Sequence, residues 1–79
     1  MVDARERIEI DMKKFDLSIG RLGSKQICAK EGRVVELAKM YASDSKAWLG
    51  KDDLFTSFSS ISYAHGLLDA VLKIEGIIE

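Results

Sequence analysis

Apolar residues recur at helical spacing in three segments of this 79-residue chain, and no proline interrupts any of them. The first segment shows the pattern most clearly, with successive spacings of four, three, four and three: Ile8, Met12, Phe15, Ile19 and Leu22. At about 100° per residue these positions fall on one side of an α-helix, which is the side that a helical bundle buries. Strand-like alternation is absent, so the sequence predicts an all-α fold.

Turn-forming stretches divide the chain into helices and connections. Residues 21–32 include Gly23 and Gly32 and show little periodicity, so we interpret them as a connection. The predicted helices cover about 3–20, 33–49 and 53–75. Only a few residues separate the second helix from the third, which forces these two into an antiparallel hairpin. We therefore predict a single domain, 1–79, folded as a three-helix bundle.

The residues at the predicted helix ends suit capping. Asp3 is expected to cap the first helix, with Glu6 three residues later as its capping-box partner. Gly50 is expected in the left-handed position that ends the second helix, where a residue without Cβ has no steric cost. Asp52 or Asp53 then caps the third helix, because a carboxylate there complements the positive end of the helix dipole.

The third predicted helix is apolar on two faces. One stripe contains Leu54, Phe58, Ile61, His65, Leu68 and Leu72, and a second lies roughly opposite. A helix that is apolar all round is normally buried on all sides. Either the first two helices lie on both sides of it, or a second copy of the chain covers one face. Gly66, in the middle of this helix, is expected where a neighbouring helix approaches closely.

Self-association is the explanation that the sequence favours. A chain of this length buries only about 60% of the surface that it exposes when unfolded, so oligomerisation is a natural source of stability. Large exposed apolar patches usually mark interfaces. We predict a homo-oligomer, with a dimer favoured. The candidate interface combines the second stripe of the third helix with two residues opposite the core stripe of the first: Ile10, Leu17, Tyr63, Leu67, Ala70 and Ile74. For the two residues of the first helix, scattered surface positions are the alternative.

Charge and motif patterns argue against several functional classes. The net charge is −1 with both signs interspersed, which does not provide the basic surface that nucleic-acid binding needs. No apolar run approaches the ~18 residues that span a membrane, and the N-terminal stretch is too charged for a secretory signal. A single cysteine fits a reducing compartment, so we expect a cytoplasmic protein. Metal-ligand and phosphate-loop spacings are absent, and we predict no metal and no other cofactor.

The stretch SYAHGLLDA, residues 62–70, places polar groups within an apolar helix. His65 and Asp69 are four residues apart and are therefore neighbours on one helical face. One interpretation is a partly buried histidine next to a carboxylate that pairs with Arg33. The alternative is a small-ligand or catalytic site, and the candidate polar cluster for such a site is Asp44, Tyr63, His65 and Asp69.

The stretch MYASDSKAWLGKDDLFTSFSSISYAHGLLDA, residues 40–70, resembles an archaeal family known as domain of unknown function family 357. The matching positions are Ala38, Tyr41, Asp44, Trp48, Leu49, Tyr63, Ala64, Gly66, Leu68, Asp69 and Ala70. The turn Gly-Lys-Asp-Asp departs from the more usual Lys-Gly-Asp, and Ser57 stands where alanine is commoner. The resemblance implies a small all-helical bundle from an archaeal cytoplasm, with no assigned activity, catalytic residue or cofactor.

These patterns favour a non-enzymatic protein–protein interaction or self-association module. Ligand binding or catalysis at the polar cluster is the alternative, and a third option is a docking subunit for a larger protein partner. The three hypotheses differ in what they require of the third helix. Association needs its second apolar face to be free of the chain's own helices, whereas a ligand site needs the four polar side chains to converge on one pocket.

Overall fold

A computed structural model describes residues 3–79 and shows three α-helices over that range, with no strand. The helices are α1 (Ala4–Leu22), α2 (Ala29–Gly50) and α3 (Leu54–Ile74). α2 and α3 pack against each other as a hairpin, while α1 packs chiefly against α3 and hardly touches α2. α3 is therefore the central helix, and the all-α bundle predicted from the sequence is confirmed.

α1 begins and ends at residues whose backbones suit those positions. The Asp3 side chain accepts a hydrogen bond from the Glu6 N–H at 2.8 Å, which makes Asp3 the N-cap as predicted. At the other end Gly23 has φ = 55°, a conformation that glycine adopts without steric cost, and its N–H donates to the Ile19 carbonyl. Gly20 stays inside the helix, so α1 extends two residues beyond the expected end.

α2 begins at Ala29, four residues before the start that the sequence suggested, and the connection shortens to residues 23–28. The three residues before Gly32 all favour helix, and together they outweigh the ~1 kcal/mol that a glycine costs inside a helix. Gly32 donates its N–H to the Cys28 carbonyl at 2.9 Å, in the regular helical pattern. The expected start at Arg33 came from interpreting a helical glycine as the end of a connection.

The turn between α2 and α3 uses an aspartate where we expected a glycine. Gly50 remains helical, and Asp52 is the residue with a positive φ, 62°. The Asp53 N–H donates to the Trp48 carbonyl at 3.0 Å, closing the helix end as in a Schellman motif. The Asp53 side chain then accepts from the Thr56 N–H at 3.1 Å and caps α3. The prediction for Gly50 is wrong, and that for Asp53 is confirmed.

The core lies between α3 and the other two helices. Its buried apolar side chains come from all three: Ile8, Met12, Phe15, Leu22, Val35, Ala38, Ala42, Ile61, Ala64, Leu68, Val71 and Leu72. Ser45 and Ser57 are also buried, and each hydroxyl donates to the backbone carbonyl of the other residue at 2.7 Å. The alanines and this reciprocal pair let α2 and α3 approach closely with both buried hydroxyls satisfied. Phe58, expected in the core stripe, is 46% exposed.

The last residues fold back onto the bundle. Gly76, with φ = 71°, follows the end of α3, and the Ile77 N–H donates to the Leu72 carbonyl at 2.9 Å. This is again the Schellman pattern, here with glycine in the left-handed position. Ile77 and Ile78 are partly buried against the core. The C-terminal turn therefore closes the end of the bundle where α2 begins.

Candidate functional site

α3 buries only one side against α1 and α2, and its other side is both exposed and nearly uncharged. We call this side the α3 outer face; it consists of Phe55, Ser59, Ser62, Tyr63, Gly66, Ala70, Lys73 and Ile74, all exposed. Phe55 is 82% exposed and Ile74 is 69% exposed, and Lys73 is the single charged residue of the set. Solvent-facing sides of helices are ordinarily polar or charged, so this face is unusual for a surface.

Gly66 lies at the middle of the α3 outer face and has no packing partner among residues 3–79. Apart from its chain neighbours and the adjoining helix backbone, a Cβ added at Gly66 meets no described atom within 4 Å. No helix of residues 3–79 makes the close approach expected at Gly66, so that approach stays a prediction for a second copy of the chain. Because α1 and α2 both lie on the opposite side of α3, they cannot supply that approach. A glycine in mid-helix still costs about 1 kcal/mol relative to alanine, and no packing contact among residues 3–79 offsets that cost.

Tyr63 continues the α3 outer face towards α2. Its ring makes an edge-to-face contact with Tyr41, with centroids 4.7 Å apart and planes at 84°, and it remains 51% exposed. Trp48 lies two turns after Tyr41 along the same side of α2, where it is 37% exposed and has the Lys51 ammonium 5.0 Å from its ring centroid. The exposed apolar surface of α3 thus borders an aromatic edge on α2.

The six residues of the predicted interface fall into two patches. Tyr63, Ala70 and Ile74 belong to the α3 outer face, while Leu67 is partly buried and packs against the core. Ile10 and Leu17 lie on α1, where they are 38% and 71% exposed, and Leu17 borders a groove between α1 and α3. In the single chain, the second stripe of α3 is therefore exposed to solvent except at Leu67, which is partly buried against the core.

The His65 side chain connects α3 to α1 and lies on a different side of α3 from the α3 outer face. Its Nε2 lies 2.7 Å from the Asp11 carbonyl oxygen, and a carbonyl can only accept, so Nε2 carries a proton. The ring also packs edge-to-face on Phe15, with centroids 5.7 Å apart. In the neutral ring the unprotonated nitrogen is then Nδ1. This arrangement gives His65 a structural role in holding the two helices together.

Asp69 lines a groove of about 360 Å³ between α1 and α3, together with His65 and four residues of α1: Lys14, Leu17, Ser18 and Arg21. The expected ion pair between Asp69 and Arg33 is not formed among residues 3–79. Arg33 instead lies on the outer side of α2, where it lines a shallow surface beside Glu36 and Met40. The basic groups near Asp69 come from α1 because α1, rather than α2, covers that side of α3.

The four residues of the predicted polar cluster lie in two places. His65 and Asp69 line the groove with α1, whereas Tyr63 contacts Tyr41 of α2. Tyr63 and His65 are two residues apart on a helix, so their side chains point to nearly opposite sides. Asp44 is exposed on α2, three residues after Tyr41 and hence on the same side of that helix. No single pocket collects all four side chains in the part of the chain that the structure describes.

A comparison with sequence models of protein families identifies the family of this chain. The sequence model of the family described as "Protein of unknown function (DUF357)" matches residues 12–77. The chain belongs to this family. The match covers all of α2 and α3 and most of α1, including the complete α3 outer face. No curated protein sequence matches the chain. The description of DUF357 assigns no activity to its members.

One group of neighbouring polar side chains in this DUF357 protein was not predicted from the sequence. The carboxylates of Glu31, at the start of α2, and Glu75, just after α3, lie close together, with the Lys25 ammonium 3.9 Å from Glu75. The Cys28 thiol donates to one Glu31 oxygen at 3.1 Å, and the other Glu31 oxygen is buried. Three effects raise the pKa of Glu75. The largest is a hydrogen bond with the Glu31 side chain, followed by burial of the Glu75 carboxyl and by repulsion from the charge of Glu31. The Lys25 ammonium lowers the pKa of Glu75 and opposes these effects.

Within residues 3–79, no group of three or more histidine, cysteine, aspartate or glutamate side chains is placed to hold a metal ion. In the same range, no helix combines the length and the apolar character that crossing a membrane requires. The α3 outer face departs from an ordinary protein surface because it is exposed and carries one charged residue.

Proposed function

We propose that this protein is a non-enzymatic self-association module, and that the α3 outer face binds a second copy of the chain. The observation that carries the proposal is an exposed helical face that runs from Phe55 to Ile74 with one charge. Exposed apolar patches of this kind usually mark protein interfaces. A second copy is the occupant best supported, because the face can be matched against itself in both shape and charge.

The exposed aromatic surface is large enough to begin a specific interface. At ~200 Å² for an aromatic side chain, Phe55 and Tyr63 expose roughly 160 and 100 Å² at their 82% and 51% exposure. A standard interface buries about 800 Å² on each partner. The two rings alone supply about a third of that, and Ile74, the small residues of the face and the Trp48 edge add to it. An interface of this size suits a reversible dimer.

Two polar residues of the face, Ser59 and Lys73, do not oppose its burial. The Ser59 hydroxyl donates to the Phe55 carbonyl at 3.0 Å, so it already has a hydrogen-bond partner inside the helix. Lys73 lies near one end of the face, where its ammonium can remain at the rim. The centre of the face can therefore be buried without removing a charged group from water.

A small-ligand or catalytic role has less support. It needs the four side chains of the predicted polar cluster to reach one cavity, and Tyr63 lies on a different side of α3 from His65. The groove next to His65 and Asp69 is open, and the proton on His65 Nε2 is engaged by the Asp11 carbonyl. A docking role towards a larger protein remains compatible with the same face. We also propose a cytoplasmic location, supported by the single cysteine of the chain.

Light scattering coupled to size-exclusion chromatography tests the proposal. We expect the wild-type chain to pass from monomer to dimer as its concentration rises through the micromolar range. Ile74→Glu places a charge on the face and should leave a monomer. Met40→Glu is the matched control, because Met40 is 55% exposed on the outer side of α2 and its change should leave the dimer intact. A wild-type chain that stays monomeric at high micromolar concentration would refute the proposal.

A further inference from the structure

We propose that two copies pair through their α3 outer faces as antiparallel helices related by a two-fold axis, with Tyr63 of each copy over Gly66 of the other. This inference rests on the self-association proposed above and adds its orientation and register. Three features of the face support it: the position of its one charge, the order of large and small residues along it, and the unused space at Gly66.

The charges at the two ends of α3 favour the antiparallel arrangement. Lys73 lies near the C-terminal end of the face, and Asp52 and Asp53 lie at the N-terminal end of the same helix. A parallel pair would place the two Lys73 ammonium groups side by side. An antiparallel pair places each Lys73 near the acidic end of the other copy, which favours association. Antiparallel helices also place their macrodipoles in opposite directions, which is the favourable arrangement.

The order of large and small residues favours one register. In an antiparallel pair, residues that face each other have numbers with a constant sum, and a sum of 129 pairs Phe55 with Ile74 and Tyr63 with Gly66. The same register pairs Ser59 with Ala70. Each large side chain then meets an aliphatic or a small residue, so the helices can approach without steric conflict. A parallel pair would instead stack Tyr63 on Tyr63 and leave Gly66 opposite Gly66.

This register also explains Gly66 and Tyr63 together. A Cβ at Gly66 would meet nothing within 4 Å in the single chain, so the space above this glycine is open. The Tyr63 ring is held by its edge-to-face contact with Tyr41 and is still half exposed. A ring that is already fixed loses little side-chain entropy when it docks. Contact would extend from Phe55 to Ile74, which at 1.5 Å per residue is about 28 Å of helix.

Disulfide cross-linking of single-cysteine chains tests the orientation and register. In a Cys28→Ser background, we would prepare Ser59→Cys and Ala70→Cys as separate chains. We expect a cross-linked dimer when the two chains are mixed and oxidised, and little from either chain alone. In the proposed register, the two Ser59 positions of a dimer lie ~16 Å apart along the helix axes, and so do the two Ala70 positions. This is beyond the ~7 Å Cα separation that a disulfide allows, so neither chain should cross-link to itself.

The outcomes separate this inference from the proposal on which it rests. Self-cross-linking of Ser59→Cys chains and of Ala70→Cys chains would show a parallel pair and overturn the inference while the dimer stands. A dimer seen by light scattering that yields no cross-link in any combination would likewise overturn it. A chain that light scattering shows to be strictly monomeric would overturn the self-association itself. As a second variant, Gly66→Leu should weaken association at least tenfold without unfolding the chain, because the added side chain has open space in the monomer.

Discussion

Replacing Gly66 with alanine should affect the folding of the single chain and its association in opposite directions. Gly66 is in the middle of α3, and apart from its chain neighbours and the adjoining helix backbone no atom of residues 3–79 lies within 4 Å of the position that its Cβ would take. Alanine stabilises a mid-helix position by about 1 kcal/mol relative to glycine. Since no steric conflict offsets this gain, we expect Gly66→Ala to raise the free energy of unfolding of the monomer by roughly that amount.

The assay for folding is thermal unfolding followed by circular dichroism, at a concentration low enough for the chain to be monomeric. For a domain of this size, a gain of 1 kcal/mol corresponds to a rise in Tm of ~4–8 °C. Gly32→Ala is the matched control, because Gly32 is also helical and a Cβ there also meets nothing within 4 Å. Both variants should be more stable than the wild type.

Association should distinguish the two variants. Gly66→Ala inserts a methyl group where the second copy approaches most closely, so we expect the dimer to weaken by about tenfold, or about 1.4 kcal/mol. Gly32→Ala lies outside the face and should dimerise like the wild type. Sedimentation equilibrium measures both. A monomer that Gly66→Ala destabilises would contradict the prediction, because it would show that glycine is required for packing within the single chain. A Gly66→Ala chain that dimerises like the wild type would show that Gly66 does not lie in the dimer interface.

Three other perturbations follow from the fold. Ser45→Ala removes the hydroxyl that donates to the Ser57 carbonyl, and urea unfolding should show a loss of about 1–2 kcal/mol; an unchanged midpoint would contradict this role. Asp52→Gly removes the side chain from a left-handed backbone position, which costs a residue with a side chain about 1–2 kcal/mol. The exposed ion pair between Asp52 and Arg5, which this change also removes, contributes at most about 1 kcal/mol. Tm should therefore rise, and a lower Tm would show that the ion pair contributes more than the backbone strain costs. The raised pKa of Glu75 means that its contribution to stability is complete below the ordinary value of 4.5 and is lost as pH rises through the folded-state value. Glu75→Gln should remove that loss in melts recorded from acidic to neutral pH, and an identical pH profile in the variant would count against the carboxyl pair with Glu31.

Periodicity was sufficient to predict the helices and the core side of α1. The stripe from Ile8 to Leu22 is the buried stripe, because a strongly amphipathic helix has only one side that it can bury. The caps at Asp3 and Asp53 were also predictable, since aspartate at an N-cap acts through its own helix. These features are local, and a local sequence pattern is enough to determine them.

Features that depend on how the helices pack were harder to predict. The sequence showed two apolar faces on α3, but it could not show that α1 and α2 both cover the same side and leave the other exposed. For the same reason Asp69 faces basic residues of α1 instead of Arg33 of α2. The proximity of Glu31 and Glu75 arises from the hairpin, which brings the start of one helix to the end of another, far apart in the chain.

Glycine positions show a similar limit. Gly23 and Gly76 take positive φ and end helices, whereas Gly20, Gly32 and Gly50 stay helical. Composition alone does not separate these two groups, because a glycine tolerates both conformations. The left-handed position between α2 and α3 is taken by Asp52, since aspartate is among the few other residues that adopt it.

Footprinting of side chains at two protein concentrations tests the central claim most directly. A reactive carbene labels exposed side chains, and the extent of labelling at Phe55 and Tyr63 can be compared with that at Met40 on the outer side of α2. Our account predicts that Phe55 and Tyr63 become protected as the concentration rises through the dimerisation range, while Met40 does not change. Labelling of Phe55 and Tyr63 that stays constant at all concentrations, or protection that appears at Met40 instead, would contradict the claim that a second copy covers the α3 outer face.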